Sequence, residues 1–409
     1  MLTRSSRRGC ECPVRWARWR HKLAAAGTVT LLMGAATSGT AVAATSTVPC
    51  RGPGGGAAGL VAALNQANST AEPDTIDLQI GCNYVLTSAQ SPDNGLPVVT
   101  SEVTINGNGA TIERPNSAAP FRIFEVAIGG ELTLDDVTIS GGSVATSGGV
   151  TAFGGGILNG GTLTVTDSFI SGNSVVGTGS SAGGCGIAND GTAVIRNTLL
   201  LDNTASSTGV EIVAAVGGAA LNRIGATMTI ENGVVANNTA VARGSSTLFF
   251  IAAAGGVGSN GTLTLTGTQI SANRVVADGT NGQANGGGLS VAAGRATVVG
   301  NTIANNSAVA TGTGSAAHGG GLENSGVTSL TATVLIGNRA RGPVAQGGGI
   351  FNRHRVTLTD SVVTENAAIG TVTQGEGGGI FNDAGTVALR RTDVSANVPD
   401  DCEPAIPGC

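Results

Sequence analysis

Nine copies of one short pattern run through the chain between Gly130 and Asn397, and this repeat restricts the possible folds more than any other feature. Counted from the start of each copy, an aliphatic residue falls at the fourth place and another at the ninth. The fourth-place set is Leu134, Val165, Ile195, Ile230, Leu265, Val298, Leu330, Leu358 and Leu389. The ninth-place set is Ile139, Ile170, Leu200, Val235, Ile270, Ile303, Leu335, Val363 and Val394. The twelfth place holds Gly142 in the first copy, then Asn173, Asn203, Asn238, Asn273, Asn306, Asn338, Asn366 and Asn397. A period of roughly 30 residues around a rigid inner block defines a solenoid, in which each unit buries its apolar face only by stacking on its neighbours.

One copy, Gly154 to Asn173, shows the local geometry. Alternation in Thr162–Thr166 puts Leu163 and Val165 on one side, as in a strand with one buried face. Asp167-Ser168 reads as a turn, Phe169-Ile170 as a second short strand and the GGGILN segment as a third. Three short strands per turn predict a parallel β-helix. The block between fourth and twelfth places keeps its length. The stretch from a twelfth-place asparagine to the next GG-x-x-x-N asparagine does not: it is 16 positions from Asn173 to Asn189, 19 from Asn203 to Asn222, 22 from Asn238 to Asn260 and 14 from Asn338 to Asn352. Insertions are tolerated at the surface, so the variable loops should emerge at one corner of the coil. The repeated asparagines predict a structural ladder, because a corner needs a residue that accepts left-handed backbone and can bond to its copies above and below. The glycine runs, such as Gly154 to Gly156 and Gly347 to Gly349, lack the Lys-Ser/Thr of a phosphate loop and read as sites of close backbone approach.

Gly supplies 67 of 409 residues, and aromatic residues only 3%. Such glycine content usually marks collagen or disorder, but there is no Gly-X-Y period and the aliphatic positions are strict. Residues 1–43 read as a signal peptide: a basic lead (Arg15, Arg18, Arg20, Lys22), an apolar stretch from Leu23 to Ala36, and Ala41-Val42-Ala43 as the cleavage site. No later segment reads as a membrane span. Without residues 1–43 the chain keeps fourteen Arg, no Lys and twenty-five acids, a net charge of −11. A phosphate backbone demands clustered positive charge, so nucleic acid is not an expected partner. Secretion is expected, and the cysteines agree: Cys50 with Cys82, and Cys402 with Cys409, are the expected disulfides. Cys185, in GGCGI where sister copies have GGGI, reads as a small core residue.

The expected organisation is residues 44–129 as an N-terminal cap with irregular first coils, 130–397 as regular repeats and 398–409 as a Cys-closed tail. Leu60, Val61, Ala63, Leu64 and Ala67 recur at helical spacing, so a short helix over this stretch is the expected cap. A monomer is the expected state.

The segments GGGILN, GGGLEN and GGGIFN are similar to the repeats of polymorphic outer-membrane proteins. The chain resembles the bacterial right-handed parallel β-helix repeat proteins of the pectate-lyase-like superfamily. LVAALNQAN, GCNYVLT and VTINGNGATIERP resemble the N-terminal region of secreted bacterial proteins of this class, and the likeness spans about residues 50–409. It implies an all-β, single-stranded right-handed parallel β-helix with a short N-terminal capping helix. It does not fix a function.

The resemblance also says what catalysis would require. Pectate lyases of this superfamily use calcium-binding carboxylates with an arginine base, and the related hydrolases carry NTD, DD, G-H-G and R-I-K signatures. Asp135-Asp136 is an Asp pair, but Asp136 falls where sister copies carry Asp167, Asn197, Asn232, Gly267, Gly300 and Asp360, a turn-residue profile. His318 lacks an NTD or RIK companion, and His354 reads as an exposed turn residue. Glu323, Glu376 and Asp383 lie on the glycine-run side, where equivalent positions stack about 4.8 Å apart; Glu323 and Glu376 are the remaining acid–base candidates. No calcium loop is present, and no metal or cofactor is expected. Phe249-Phe250 reads as part of an inserted strand in the longest variable loop. The leading expectation is a non-catalytic secreted or cell-surface protein, adhesive, scaffolding or glycan-contacting, with a polysaccharide or cell-surface partner. The alternative is a polysaccharide-active lyase or glycoside hydrolase.

Overall fold

The structure is a computed structural model that describes residues 43–210, 213–244 and 250–409. The signal-peptide reading, Ala43 apart, lies outside the described residues, as does Phe249.

The described residues wind as a parallel β-solenoid and include one helix, Gly56–Ala67. Every pairing between named strands is parallel, and each joins one coil to the next in register. Thr162–Thr166, for instance, runs Thr162↔Thr192 to Thr166↔Arg196. A coil holds five strand segments rather than three. In one coil these are Thr162–Thr166, Phe169–Ser171, Ser174–Thr178, Ala182–Gly183 and Ile187–Asn189. The first two share a 21-stranded sheet, here sheet I. The third, fourth and fifth build sheets II, III and IV, of eight, seven and ten strands. The two extra segments, Ser174–Thr178 and Ala182–Gly183, lie between the twelfth-place asparagine and the glycine run, a stretch expected to be variable surface loop; it instead pairs coil to coil as sheets II and III. Asp136, Asp167, Asn197, Asn232 and Asp360 all have φ between 47° and 53°, so sheet I kinks there without leaving the sheet.

Stacking begins before Gly130. The strand Glu102–Glu113 already pairs with Glu131–Ser140, Val103 facing Leu132 and Ile112 facing Ile139. The helix covers the first coils with Leu60 and Leu64, both fully buried. Cys50 is bonded to Cys82, Cα atoms 5.4 Å apart, beside this cap; Cys402 is bonded to Cys409 at the other end.

The interior divides into two lobes. Leu163, Val165 and Ile170 of sheet I face Ile157 and Ile187 of sheet IV across a wide aliphatic lobe. Sheets II and III enclose a narrow lobe lined largely by Ala205, Ala215, Ala252, Ala284, Ala317 and Ala345. Between them lies a waist where the walls touch backbone to backbone. A methyl group on Gly320 would sit 2.4 Å from the backbone of Arg339, and one on Gly348 at 2.4 Å from Ala367. A side chain at these positions crowds the facing backbone, which explains the glycine runs. Cys185 occupies the corresponding place in its own coil and is buried in the narrow lobe, where burial pushes its thiol pKa far up. Phe250 fills the same lobe and is 1% exposed.

The wall opposite the glycines is the asparagine ladder, and every member is buried. The backbone N–H and the Nδ2 of each asparagine donate to the Oδ1 of the next. Asn203 reaches Asn238 at 2.9 and 3.0 Å, and Asn338 reaches Asn366 at 2.9 Å both ways. The other Nδ2 hydrogen returns to the carbonyl of a ninth-place residue one coil back, as from Asn203 to Ile170 at 3.0 Å. Each carboxamide is therefore saturated on both sides. Gly142 opens the ladder by donating to Asn173 (2.9 Å), and Asp401 closes it by accepting twice from Asn397 (3.0 and 2.9 Å). A carboxylate suits that last place because it accepts without needing anything beyond it to accept a proton in return.

Length variation sits between sheets II and III. One residue separates Gly342 from Val344, whereas residues 245–249 fall between Gly244 and Phe250.

Candidate functional site

The outward sides of sheets III and IV meet at the triple-glycine turn, and that angle makes a groove parallel to the solenoid axis. Register fixes what lines it. The sheet III side carries Phe153, Gly183, Val216, Ala253, Asn285, His318 and Gln346 in rung order. The sheet IV side carries Leu158, Ala188, Leu221, Gly258, Ser290, Glu323, Phe351 and Phe381. The groove is thus apolar at its N-terminal end and polar, then aromatic, towards the C-terminus.

Two cavities share Val216, Leu221 and Asn260 and make the trough continuous. The first, about 350 Å³, is lined by Phe153, Val216, Leu221 and Ile224, with Arg223 over the Phe153 ring at 4.1 Å and paired to Asp190 at 2.7 Å. The second, about 300 Å³, runs past Asn285 and Ser290 to Glu323, Ser325 and Arg353.

Glu323 is 3% exposed. Ser290 Oγ donates to its Oε2 at 2.7 Å and Ser325 Oγ to its Oε1 at 2.6 Å. Burial holds its carboxyl above the usual range, opposed by those two hydroxyls and by the Arg353 charge. His318 is 4% exposed, with its Nδ1 3.0 Å from Asn285 Oδ1. Because that oxygen only accepts, the proton belongs on Nδ1. The ring stacks on Phe351 (4.3 Å between centroids), and Phe351 stacks on Phe381 (5.6 Å). Burial, then the Arg353 charge, lower the His318 pKa to about 3, with Asp383 opposing. His318 is therefore neutral at working pH. Arg353 lies over Phe351 at 4.7 Å and pairs with Asp383 at 3.3 Å.

The structure does not join Glu323 to Glu376. Glu376 belongs to the sheet III side, two coils further on; it is exposed and accepts from Gln346 Nε2 at 2.7 Å. The Gln346 and Phe351 rung stands between them, and two rungs amount to roughly 9–10 Å. Asp136 is exposed at a left-handed bend of sheet I, away from the groove. His354 is exposed in a turn. The clustering of His318, Asn285, Ser290, Ser325 and Arg353 around Glu323 was not read from the sequence. Only coil register brings them together, although GGGLEN does place a lone Glu where sister copies have Leu, Ala, Gly, Ser or Phe.

The asparagines that close the GG-x-x-x-N segments also stack, a ladder the sequence spacing did not reveal. Asn159 donates to Asn189 at 2.7 Å and Asn189 to Asn222 at 2.9 Å; after a break at Ser259 and Val291, Asn324 donates to Asn352 at 2.8 Å and Asn352 to Asn382 at 2.7 Å. These form the corner between sheets IV and I.

No group of three or more metal-ligating side chains occurs among the described residues, and no described helix is long and apolar enough to cross a membrane. No family model matches the chain, and no curated protein matches it. Among solved structures the chain is similar to PfbA, a surface adhesin of Streptococcus pneumoniae, at 12% identity and a TM-score of 0.23 over 81% of this chain and 87% of that one. That similarity is too low to carry residues or function across.

Proposed function

We propose that the chain is a secreted or cell-surface, non-catalytic right-handed β-helix of the pectate-lyase-like superfamily that contacts an extended ligand, a glycan first of all, along the groove between sheets III and IV. One observation carries this reading: the groove spans several coils while its titratable side chains are committed to one another. Both carboxylate oxygens of Glu323 receive serine hydroxyls, His318 is bonded to Asn285 and stacked, and Arg353 is paired. Acid–base catalysis needs groups free to reach a substrate proton. Contact along a long face needs only shape and hydrogen bonding.

The test is a glycan panel read two ways, for binding and for new reducing or unsaturated ends. The reading predicts binding without cleavage, and loss of binding in Leu221→Arg, which fills the apolar trough. Binding unaffected by Leu221→Arg would move the contact elsewhere.

The enzyme alternative rests on Glu323, a buried carboxyl held above its usual range inside the groove. It predicts chain cleavage that disappears in Glu323→Gln. Cleavage that survives both Glu323→Gln and Glu376→Gln would place any chemistry outside these acids.

A further inference from the structure

The waist has a second outer side. Opposite the sheet III–IV groove, sheets I and II meet at the asparagine corner, and a cavity of about 300 Å³ lies there between Asn305, Ser307, Gly337, Arg274, Arg339 and Arg341. Register explains the convergence. Arg274, Ser307 and Arg339 are successive members of one outward row of sheet II, and Arg341 stands beside Val309 in the next row. Arg274 and Arg339 are thus two rungs apart, roughly 9–10 Å, with a hydroxyl between them.

These arginines are unpaired. Six ion pairs occur among the described residues, and none involves Arg274, Arg339 or Arg341. The nearest corner acid in sequence, Glu365, makes no ion pair with them. Residues 44–409 carry fourteen Arg against twenty-five acids, so three exposed arginines without a carboxylate at one cleft leave strong unneutralised charge.

The rest of the row indicates what lies against it. N-terminal to Arg274, the same outward positions are Ser143, Ser174, Thr204 and Thr239, an unbroken line of hydroxyls. Beside it runs an outward row of Val176, Ser206, Val241, Val276 and Val309. Hydroxyls beside half-buried aliphatic carbons suit a sugar chain, whose rings offer C–H faces and hydroxyl edges. The arginine fork suits planar or tetrahedral oxyanions.

We propose that the outer face of sheet II is a binding track for an anionic polysaccharide, whose sulfate or carboxylate groups seat between Arg274, Arg339 and Arg341 while its neutral portion lies along the Ser143–Thr239 hydroxyl row. This track is separate from the groove and does not depend on its function.

The experiment measures binding of dextran sulfate, hyaluronate and neutral dextran to the intact protein at two salt concentrations. It compares the wild type with an Arg274→Gln, Arg339→Gln, Arg341→Gln variant and with an Arg295→Gln, Arg355→Gln control. The control arginines are also exposed, outside the six ion pairs and two rungs apart, on sheet I, and line none of the cavities described above. The expected result is salt-sensitive binding of at least one anionic polymer, weakened by at least about tenfold in the triple variant and held within about twofold in the control. The sulfate and carboxylate arms identify which anion is taken. Failure of both anionic polymers to bind, equal binding of neutral dextran, or an equal loss in the control would overturn the proposal. All five substitutions are at exposed side chains, and an unchanged thermal midpoint verifies that each variant is folded.

Discussion

Replacing Asn273 by Ala tests the ladder where it is continuous on both sides. Asn273 Oδ1 accepts the N–H and the Nδ2 of Asn238, each at 3.0 Å, and its own Nδ2 donates to Val235 O (2.9 Å) and Asn306 Oδ1 (3.0 Å). Alanine removes all four bonds at a place with no access to water. The N–H of Asn238 is left without its acceptor, its Nδ2 loses one of its own, and Val235 O and Asn306 Oδ1 each lose a donor. A buried polar group stripped of its partner costs about 1–3 kcal/mol. Two stripped donors and two weakened acceptors therefore put the loss at about 3–5 kcal/mol. Asn273→Asp should be at least as harmful, since it faces two acceptors with a charge where Nδ2 donated. The neighbouring Ala272→Gly is the control: Ala272 sits at φ 54°, so glycine relieves strain and should change stability little. Guanidinium unfolding followed by circular dichroism gives the global change. Hydrogen exchange should show the Asn238 and Asn306 amides losing protection before those of distant coils, because coils interact chiefly with their neighbours. A loss below about 1 kcal/mol, or an Asp variant as stable as the native chain, would refute the saturation argument.

Gly348→Ala should destabilise by about 1–3 kcal/mol, since its added methyl meets the Ala367 and Gly378 backbones at 2.4 Å; a melting point equal to wild type would mean the waist is looser than described. His318 stays neutral in the fold down to about pH 3 but titrates near 6.5 once unfolded. The unfolded state therefore binds the extra proton, and stability should fall as pH drops from about 6.5 towards 3. In His318→Phe that slope should flatten in a pH series of unfolding midpoints, and an unchanged slope would contradict the burial argument. Glu323 shifts the other way: its raised folded pKa makes its contribution present at low pH and lost as pH rises through that value, a loss Glu323→Gln should abolish. Cys185 should resist thiol reagents in the native protein and react fully in denaturant.

The solenoid could be read from the sequence because its causes are local and repeated. Leu163, Val165 and Ile170 recur at one spacing in every coil, and residues such as Asp167 and Asn197 are of types that tolerate left-handed backbone. The glycine runs were legible as close approach, but not as the waist of a two-lobed section, since the partner backbone at Arg339 or Ala367 comes from elsewhere in the coil. The count of three strands failed because the stretch from Asn173 to the next glycine run varies in length between coils and reads as loop, whereas Ser174–Thr178 and Ala182–Gly183 pair with their copies as sheets II and III. Groove and track were both illegible for one reason. Loop insertions vary the interval between coils, so Asn285, His318 and Arg353, or Arg274 and Arg339, align only once register is known.

The stacking itself is tested most directly by distances between spin labels on the outer face of sheet I. Cysteines replacing Thr162 in combination with Arg295, Arg355 or Thr386 stand four, six and seven rungs apart. Pulsed electron resonance should return backbone-corrected separations near 19, 29 and 34 Å, a constant increment of about 4.8 Å per coil. Separations that do not rise by a constant step per coil would contradict the stacked solenoid.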